Sequence, residues 1–221
     1  MSRASFGQQL RNIQDEVLLL GSMVDRSIDR AIEALKRRDV GEAKLIIEDD
    51  ARVNQKRFEI EDLCLQTIAT QQPMASDLRM IASVLYVITD LERMADHAEG
   101  IAKIVVRMGE EPPIKPLVDI PAMADKCRSM LQAALDAFVS HDAEAAKRIA
   151  DADDEVDALY DITLRELLLL MAKDTNNIER ATYLLWVAHN LERVADRVTN
   201  ICERVAFMVT GRMEEVNVSR Y

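Results

Sequence analysis

The chain has 221 residues and a formal net charge of −11, which argues against nucleic acid as a partner because binding a polyanion requires clustered Lys and Arg side chains. Hydrophobic residues make up 49% of the chain and aromatic residues only 4%; six glycines and five prolines are too few for a fold rich in tight turns. The composition therefore predicts an all-α protein built from long helices with few connections.

The cysteines exclude two further kinds of site. Cys64, Cys127 and Cys202 are far apart, odd in number and without a Cys-x-x-Cys motif, so they form neither a disulfide framework nor a thiolate zinc site. They fall on apolar helix faces, and we expect them in the core. No apolar run has the length of a membrane span, and the amino terminus lacks the apolar segment of a signal peptide. These features predict a soluble protein of the reducing cytoplasm.

In chain order, apolar residues recur at helical spacing and predict three helices in the first half, over 6–38, 41–70 and 76–108. The break before the third helix contains Pro73, which cannot continue a helix, and Ser76 is the expected N-cap. The second half repeats this plan, with helices over 117–140, 143–172 and 177–209. The predicted division is a first three-helix bundle (1–109), a linker rich in proline (110–116), a second three-helix bundle (117–211) and a C-terminal tail (212–221).

The two halves are copies of one unit. Aligning 83–105 with 183–205 gives 9 identities in 23 positions, and upstream of these segments the offset changes from 100 to 103 residues. At that offset Asp50 is aligned with Asp153, and Val53 with Val156. The sequence therefore predicts a tandem duplication that gives two three-helix bundles with six long helices, related by an approximate two-fold axis.

Acidic residues recur at helical spacing in each copy. On the third helix of the first copy, Glu92, Asp96 and Glu99 lie on one face beside the core stripe, because residues at i, i+4 and i+7 share a face. On the second helix, Asp50 and Asn54 are four residues apart. If these two helices pack side by side, the two stripes of oxygen donors face each other across a groove.

The second copy has the corresponding stripes. Glu192, Asp196, Asn200 and Glu203 flank the core stripe of the last helix, and Asp153, Asp157 and Asp161 follow one another at four-residue intervals on the preceding helix. Like charges at this spacing destabilise an exposed helix by roughly 0.2–0.5 kcal/mol per pair. A cationic group is therefore expected to offset the repulsion.

Two interpretations of these stripes remain open on the residues alone. The first is a solvated face with ordinary ion pairs, for which Arg93, Arg193 and Arg165 are suitably spaced. The second is a metal site, because carboxylate and amide oxygens are hard ligands that suit Mg, Mn, Ca or iron. The repetition of the acids in register favours metal, because a solvent-exposed face gives no physical reason to repeat them.

Several other kinds of site are excluded. No Glu-x-x-His precedes His97, His141 or His189, so the ligands of a ferritin-like di-iron bundle are missing. The chain has neither a His-Glu-x-x-His motif nor a phosphate-binding Gly-x-x-x-x-Gly-Lys-Ser/Thr loop. His97 is aligned with Arg197 and is expected to lie on the surface.

Several motifs occur in the order found in one known family. The segments QQPMASDLRMI (71–81), DLERMADHAEGI (90–101) and NLERVADRVTNICE (190–203) resemble the "RQPxAxDLR" turn and the paired E-R-x-x-D helices of PhoU proteins, the regulators of bacterial phosphate uptake. DDARVN, DADDEVD and RELLLLMAKD extend the resemblance over nearly the whole chain. It implies two three-helix bundles, in agreement with the repeat.

The resemblance also implies a multinuclear iron or zinc cluster in each repeat; the donor types alone equally admit Mn, Mg or Ca. The implied ligands are the acids and amides that match the family motif: Asp50, Asn54, Glu92 and Asp96 in the first half, and Asp153, Asp157, Glu192, Asp196 and Asn200 in the second. In the first half Gly100 stands where the second has Asn200, so Glu99 is included as a substitute ligand.

The resemblance further implies a function without catalysis. PhoU proteins resemble adaptors between the ATPase subunit of the phosphate ABC transporter and the phosphate-sensing histidine kinase, through which they act as negative regulators of the phosphate-starvation response. The chain would then work as a homodimer that meets the membrane only through its partners. The alternative is a metal-free helical scaffold whose acidic grooves dock basic helices of partner proteins.

Overall fold

A computed structural model describes residues 3–213 of the chain, and within this range all regular structure is helical. The predicted tail 212–221 lies outside the described residues from position 214 onward. The helices are α1 (Arg3–Arg37), α2 (Val40–Gln71), α3 (Ala75–Met108), α4 (Asp119–Ser140), α5 (Ala143–Ala150), α6 (Asp153–Lys173) and α7 (Ile178–Thr210), with a 3₁₀ turn at Thr175–Asn177 before α7.

The first three helices agree with the prediction to within a few residues, and their ends have identifiable causes. Asp39 caps α2, its side chain accepting a hydrogen bond from the Glu42 amide at 2.9 Å. The predicted cap of α3 is wrong: Met74 occupies the N-cap position without a side-chain hydrogen bond, and Ser76 already lies in the first turn. Met74, which follows Pro73 and has an extended backbone, caps the helix two residues earlier than expected.

The fifth predicted helix, 143–172, is interrupted. Asp151 and Ala152 form a turn that separates α5 from α6, although α2, its counterpart in the first half, continues without a break. Three acidic residues follow in the first turn of α6, at Asp153, Asp154 and Glu155, where negative charge is favourable at the positive end of a helix. Together α5 and α6 take the place that α2 has in the first half.

Each half is a three-helix bundle, as the duplication predicts. In the first, α1, α2 and α3 pack pairwise; in the second, α4 and α7 pack against each other and against both α5 and α6. The most extensive helix pairing in the described chain joins the halves, between α3 and α7. These helices run antiparallel, since Asp90 pairs with Arg197 while His97 meets Asn190.

The core is aliphatic and continuous through both halves. Cys64, Cys127 and Cys202 are buried in it, which confirms their predicted place, and burial raises the pKa of each thiol to about 12. All three are therefore unreactive packing residues. No helix within residues 3–213 combines the length and the apolar content that crossing a bilayer requires.

Candidate metal sites on two acidic seams

The first seam lies where α2 packs against α3 and contains the five residues predicted for the first half. Asp50 and Asn54 are contributed by α2, and the Asn54 amide donates a hydrogen bond to Asp50 Oδ2 at 2.7 Å. Burial raises the pKa of Asp50, and the negative charges of Glu99, Asp96 and Glu92 on α3 raise it further. The three carboxylates of α3 are therefore close enough to Asp50 to repel its negative charge.

The second seam lies between α6 and α7. Asp153 is only 8% exposed. Burial is the main cause that raises the pKa of Asp153 to about 7, followed by repulsion from Asp157, Asp196 and Glu192. The pKa of Asp157 is also raised, by burial and then by Asp196. The structure thus brings together four of the five residues predicted for the second half.

Asn200, the fifth, lies at the contact between the two halves. Its amide nitrogen donates a hydrogen bond to Asp90 Oδ1 at 3.2 Å, and the Arg197 guanidinium reaches the same oxygen at 3.4 Å. At the pseudo-equivalent position, His97 Nδ1 is 3.0 Å from Asn190 Oδ1. His97 is therefore half-buried between α3 and α7 and not on the surface as expected, because α7 packs over it.

Both seams also contain ordinary ion pairs. Arg93 Nη1 lies 3.1 Å from Asp96 Oδ2, and Arg193 Nη1 lies 3.0 Å from Asp196 Oδ2. Arg193 also approaches Glu192 Oε2, at 3.4 Å. These are the contacts that the interpretation as an ion-paired face requires, and they neutralise part of the charge of each seam.

The ion pairs leave some carboxylate oxygens without hydrogen bonds. Within the described chain, Asp50 Oδ1, Asp153 Oδ1 and Glu192 Oε2 are enclosed and have no hydrogen-bond partner. Arg193 Nε and His189 Nδ1 each lie 3.4 Å from Glu192 Oε2, whereas the two aspartate oxygens have no such neighbour among the described residues. A buried, unpartnered carboxylate oxygen is costly unless a proton or a cation meets it. Carboxylates are the ligands that hard cations prefer, so the donor set fits a metal in its chemistry.

The side chains are not in a ligating arrangement. Among residues 6–213, no group of three or more His, Cys, Asp or Glu side chains is placed so that it could hold one metal ion. A cation in either seam would therefore require the carboxylates to lie closer together. The long side chains of Glu92 and Glu192 give each seam one ligand with the reach to do so.

The residues that sequence reasoning missed lie between the seams. Asp90 and its counterpart Asn190 immediately precede the repeated Leu-Glu-Arg, and they receive the hydrogen bonds that cross from one half to the other. The sequence does contain a sign of this role, because two polar residues stand at equivalent positions of the two copies, adjacent to the core stripe. It was missed because Asp90 is matched by an amide, Asn190, and so does not repeat an acid in register.

Comparison with known proteins agrees with this architecture. The family described as "PhoU domain" matches residues 17–105 and 120–205, one copy in each half. A curated relative from Clostridium acetobutylicum, named phosphate-specific transport system accessory protein PhoU homolog, is 37% identical and covers 98% of this chain and 100% of its own length. A relative from Aquifex aeolicus with the same name is 37% identical over 84% of each chain.

Solved structures give the same result. The crystal structure of PhoU from Pseudomonas aeruginosa superimposes with a TM-score of 0.88, at 34% identity, covering 94% of this chain and 100% of that one. The structure of the phosphate transport system regulatory protein PhoU from Streptococcus pneumoniae has a TM-score of 0.88, at 36% identity, with coverage of 95% and 99%. With both repeats matched and relatives aligned over nearly their full lengths, the chain belongs to the PhoU family.

Proposed function

We propose that this chain is a non-enzymatic regulatory adaptor of phosphate transport. It would act in the cytoplasm, restraining phosphate uptake and the starvation response through the ATPase subunit of the phosphate ABC transporter and the phosphate-sensing histidine kinase. The observation that carries the proposal is the match of both repeats to relatives named as accessory proteins of phosphate-specific transport, over 98% of this chain in one case.

Deleting the gene tests the regulatory role. In phosphate-rich medium the deletion is expected to switch on a reporter of the starvation response, and the wild-type gene on a plasmid is expected to switch it off again. Reporter output that does not change on deletion would contradict the proposal. Co-purification with the tagged ATPase subunit and with the kinase tests each partner, and light scattering tests the homodimer by a mass twice that of one chain.

Metal binding on the acidic seams is the second part of the proposal. It is supported by the enclosed oxygens of Asp50 and Asp153, which meet neither a hydrogen-bond donor nor a Lys or Arg side chain in the described chain. Bound metal would supply positive charge beyond that of the Arg93 and Arg193 ion pairs, which neutralise only part of each seam. Elemental analysis of protein purified without chelator or affinity metal tests this part, and iron, zinc and manganese all at trace level would exclude it.

The alternative is a metal-free scaffold that docks basic partner helices, and the pairs Arg93–Asp96 and Arg193–Asp196 favour it. Asp196→Asn separates the two. A metal site should lose metal in this variant, whereas an exposed ion pair contributes less than about 1 kcal/mol to folding and involves no metal. The matched substitution Asp136→Asn, at an exposed position of α4, controls for the loss of one surface charge.

A further inference from the structure

The two seams occupy equivalent positions of the repeat but differ in the charges around them. Three substitutions between the copies all act in the same direction: Asn54 in the first seam corresponds to Asp157 in the second, Arg57 to Tyr160, and Lys103 to Glu203. At each position the first half has the less negative side chain. The duplicated acids therefore lie in different electrostatic fields, and the surroundings of the second seam are the more negative.

In the first seam Lys103 and Asn54 contact the carboxylates, and Arg57, which is paired with Glu61, acts on them through its charge. Lys103 Nζ lies 2.6 Å from Glu99 Oε2, so an amine already neutralises that carboxylate. The positive charge of Arg57 stabilises the ionised form of Glu92, and the Asn54 amide donates to Asp50 Oδ2. The first seam thus supplies part of its own positive charge.

In the second seam the α6 carboxylates have no such partner. Neither Asp153 nor Asp157 makes an ion pair with a Lys or Arg side chain of the described chain; Arg193 pairs only with the α7 acids, Glu192 and Asp196. Asp153 is more than nine-tenths buried, its Oδ1 is enclosed without a hydrogen bond, and the other three acids of the seam repel its carboxylate. Asp50, its counterpart, is only half-buried.

We propose that the two seams are unequal cation sites: the second, formed by Asp153, Asp157, Glu192 and Asp196, binds a hard divalent cation at least tenfold more tightly than the first and fills before it. This inference rests on the metal-binding part of the proposed function. Its physical basis is that a cation in the second seam meets more unneutralised charge, in a more buried place where charges interact more strongly. Specificity for hard cations follows from the all-oxygen donor set.

A reciprocal exchange at one position tests the inference. Protein freed of metal by a chelator is titrated with Mn²⁺, and free Mn²⁺ is measured by its electron paramagnetic resonance signal. Wild-type protein should show a tight and a weak class of site. Asp157→Asn gives the second seam the side chain of the first and should weaken the tight class by about tenfold or more, since even partners outside the ligand shell change metal affinity about 10- to 100-fold.

The converse variant, Asn54→Asp, should tighten the weak class and leave the tight one unchanged. Both exchanges are nearly isosteric, so folding is preserved, and circular dichroism verifies it. Asp62→Asn, at an exposed position of α2 outside the seams, is the matched control and should change neither class.

Equal affinity of the two classes in wild-type protein would overturn the inference while leaving metal binding intact. So would a tight class that Asp157→Asn leaves unchanged. Absence of any Mn²⁺ binding would overturn both the inference and the metal part of the proposed function. The reporter experiment on the deletion strain is independent of each of these results.

Discussion

Asp153 is the residue whose environment departs furthest from that of an ordinary surface acid. It is the first residue of α6, it is 8% exposed, and four further carboxylates repel it. Its pKa is raised to about 7 in the folded protein, whereas an aspartate in an unfolded chain has a pKa of about 3.9. Without metal, the folded chain therefore keeps a proton that the unfolded chain releases between these two pH values.

This difference predicts a pH dependence of stability in metal-free protein. The stability from the Asp153 proton is fully present below pH 4 and is lost as the pH rises through 7. Asp153→Asn removes this pH dependence of stability. In the presence of chelator, the substitution should therefore raise the free energy of unfolding at pH 8 by at most about 4 kcal/mol. At pH 4 it should have little effect. Urea denaturation of both proteins at several pH values measures the difference.

Asp154→Asn is the matched control for that prediction. Asp154 is adjacent in the chain and exposed, so its substitution should change stability by less than about 0.5 kcal/mol at any of these pH values. If Asp153→Asn destabilised the metal-free protein at pH 8, the buried charge of Asp153 would not be unfavourable to folding, and the prediction would be wrong.

Asp90 is the second residue with a testable role. It accepts hydrogen bonds from Asn200 and Arg197, both across the contact between halves. Asp90→Ala leaves these two donors without their acceptor, and Arg197 Nε is already without a partner in the described chain. We expect a loss of about 1–3 kcal/mol in the free energy of unfolding, measured by urea denaturation.

Asp136→Ala controls for it: Asp136 is exposed, and its carboxylate accepts a hydrogen bond from Gln132 on its own helix. A change of less than about 0.5 kcal/mol is expected for this variant. Equal effects of the two substitutions would show that the polar contact between the halves is not a source of stability.

At the level of whole helices, most of the fold was predictable because its signals are local. The apolar period marks six helical stretches, and Pro73 and the prolines of 110–116 mark two of the breaks. The break between α5 and α6 was missed because it contains neither Gly nor Pro, and Ala146, Ala150 and Val156 continue the apolar stripe on either side of it. Its signal is the acidic run Asp153-Asp154-Glu155, which is typical of a helix start.

The seams were predictable for the same local reason, since i, i+4 spacing decides which acids share a face. The position of Asn200 was not, because it depends on how α7 is rotated against α3, and that is set by packing across the halves. The unequal charge of the seams was visible in the aligned copies at Asn54 and Asp157. The proposed difference in cation affinity also depends on the burial of Asp153, which the sequence does not show.

The break between α5 and α6 gives a prediction about backbone protection. The amides of Asp153 and Asp154 lie in the first turn of a new helix, whereas Asp50 and Ala51 lie inside the continuous helix α2. The first pair should therefore exchange hydrogen with solvent more than about tenfold faster than the second pair. Hydrogen exchange followed by NMR in chelator measures all four amides in one experiment, and equal protection would mean that the helix is continuous.

On the scale of the whole molecule, the two bundles are joined along two antiparallel contacts. One is between α3 and α7; the other is between α1 and α4, where Arg128 bonds to Asp25 and Asp29. The α1–α4 contact is close: a Cβ on Gly21 would clash with Leu135 Cδ1. The hydrophobic core passes through these contacts without interruption, so neither half is enclosed without the other.

This continuity predicts that the halves unfold together although they arose as separate copies. Trp186 reports on the second half, and Trp186→Phe combined with Tyr86→Trp moves the single tryptophan to the equivalent position of the first. In urea, the fluorescence midpoints of the two proteins should each coincide with the midpoint from far-ultraviolet circular dichroism, because one cooperative transition gives the same midpoint by every probe. Breaking the α3–α7 contact exposes apolar surface on both halves at once, which is why an intermediate with one folded half is disfavoured. A circular dichroism curve with two steps, each matched by one tryptophan position, would show instead that each copy retains the independent stability of a domain.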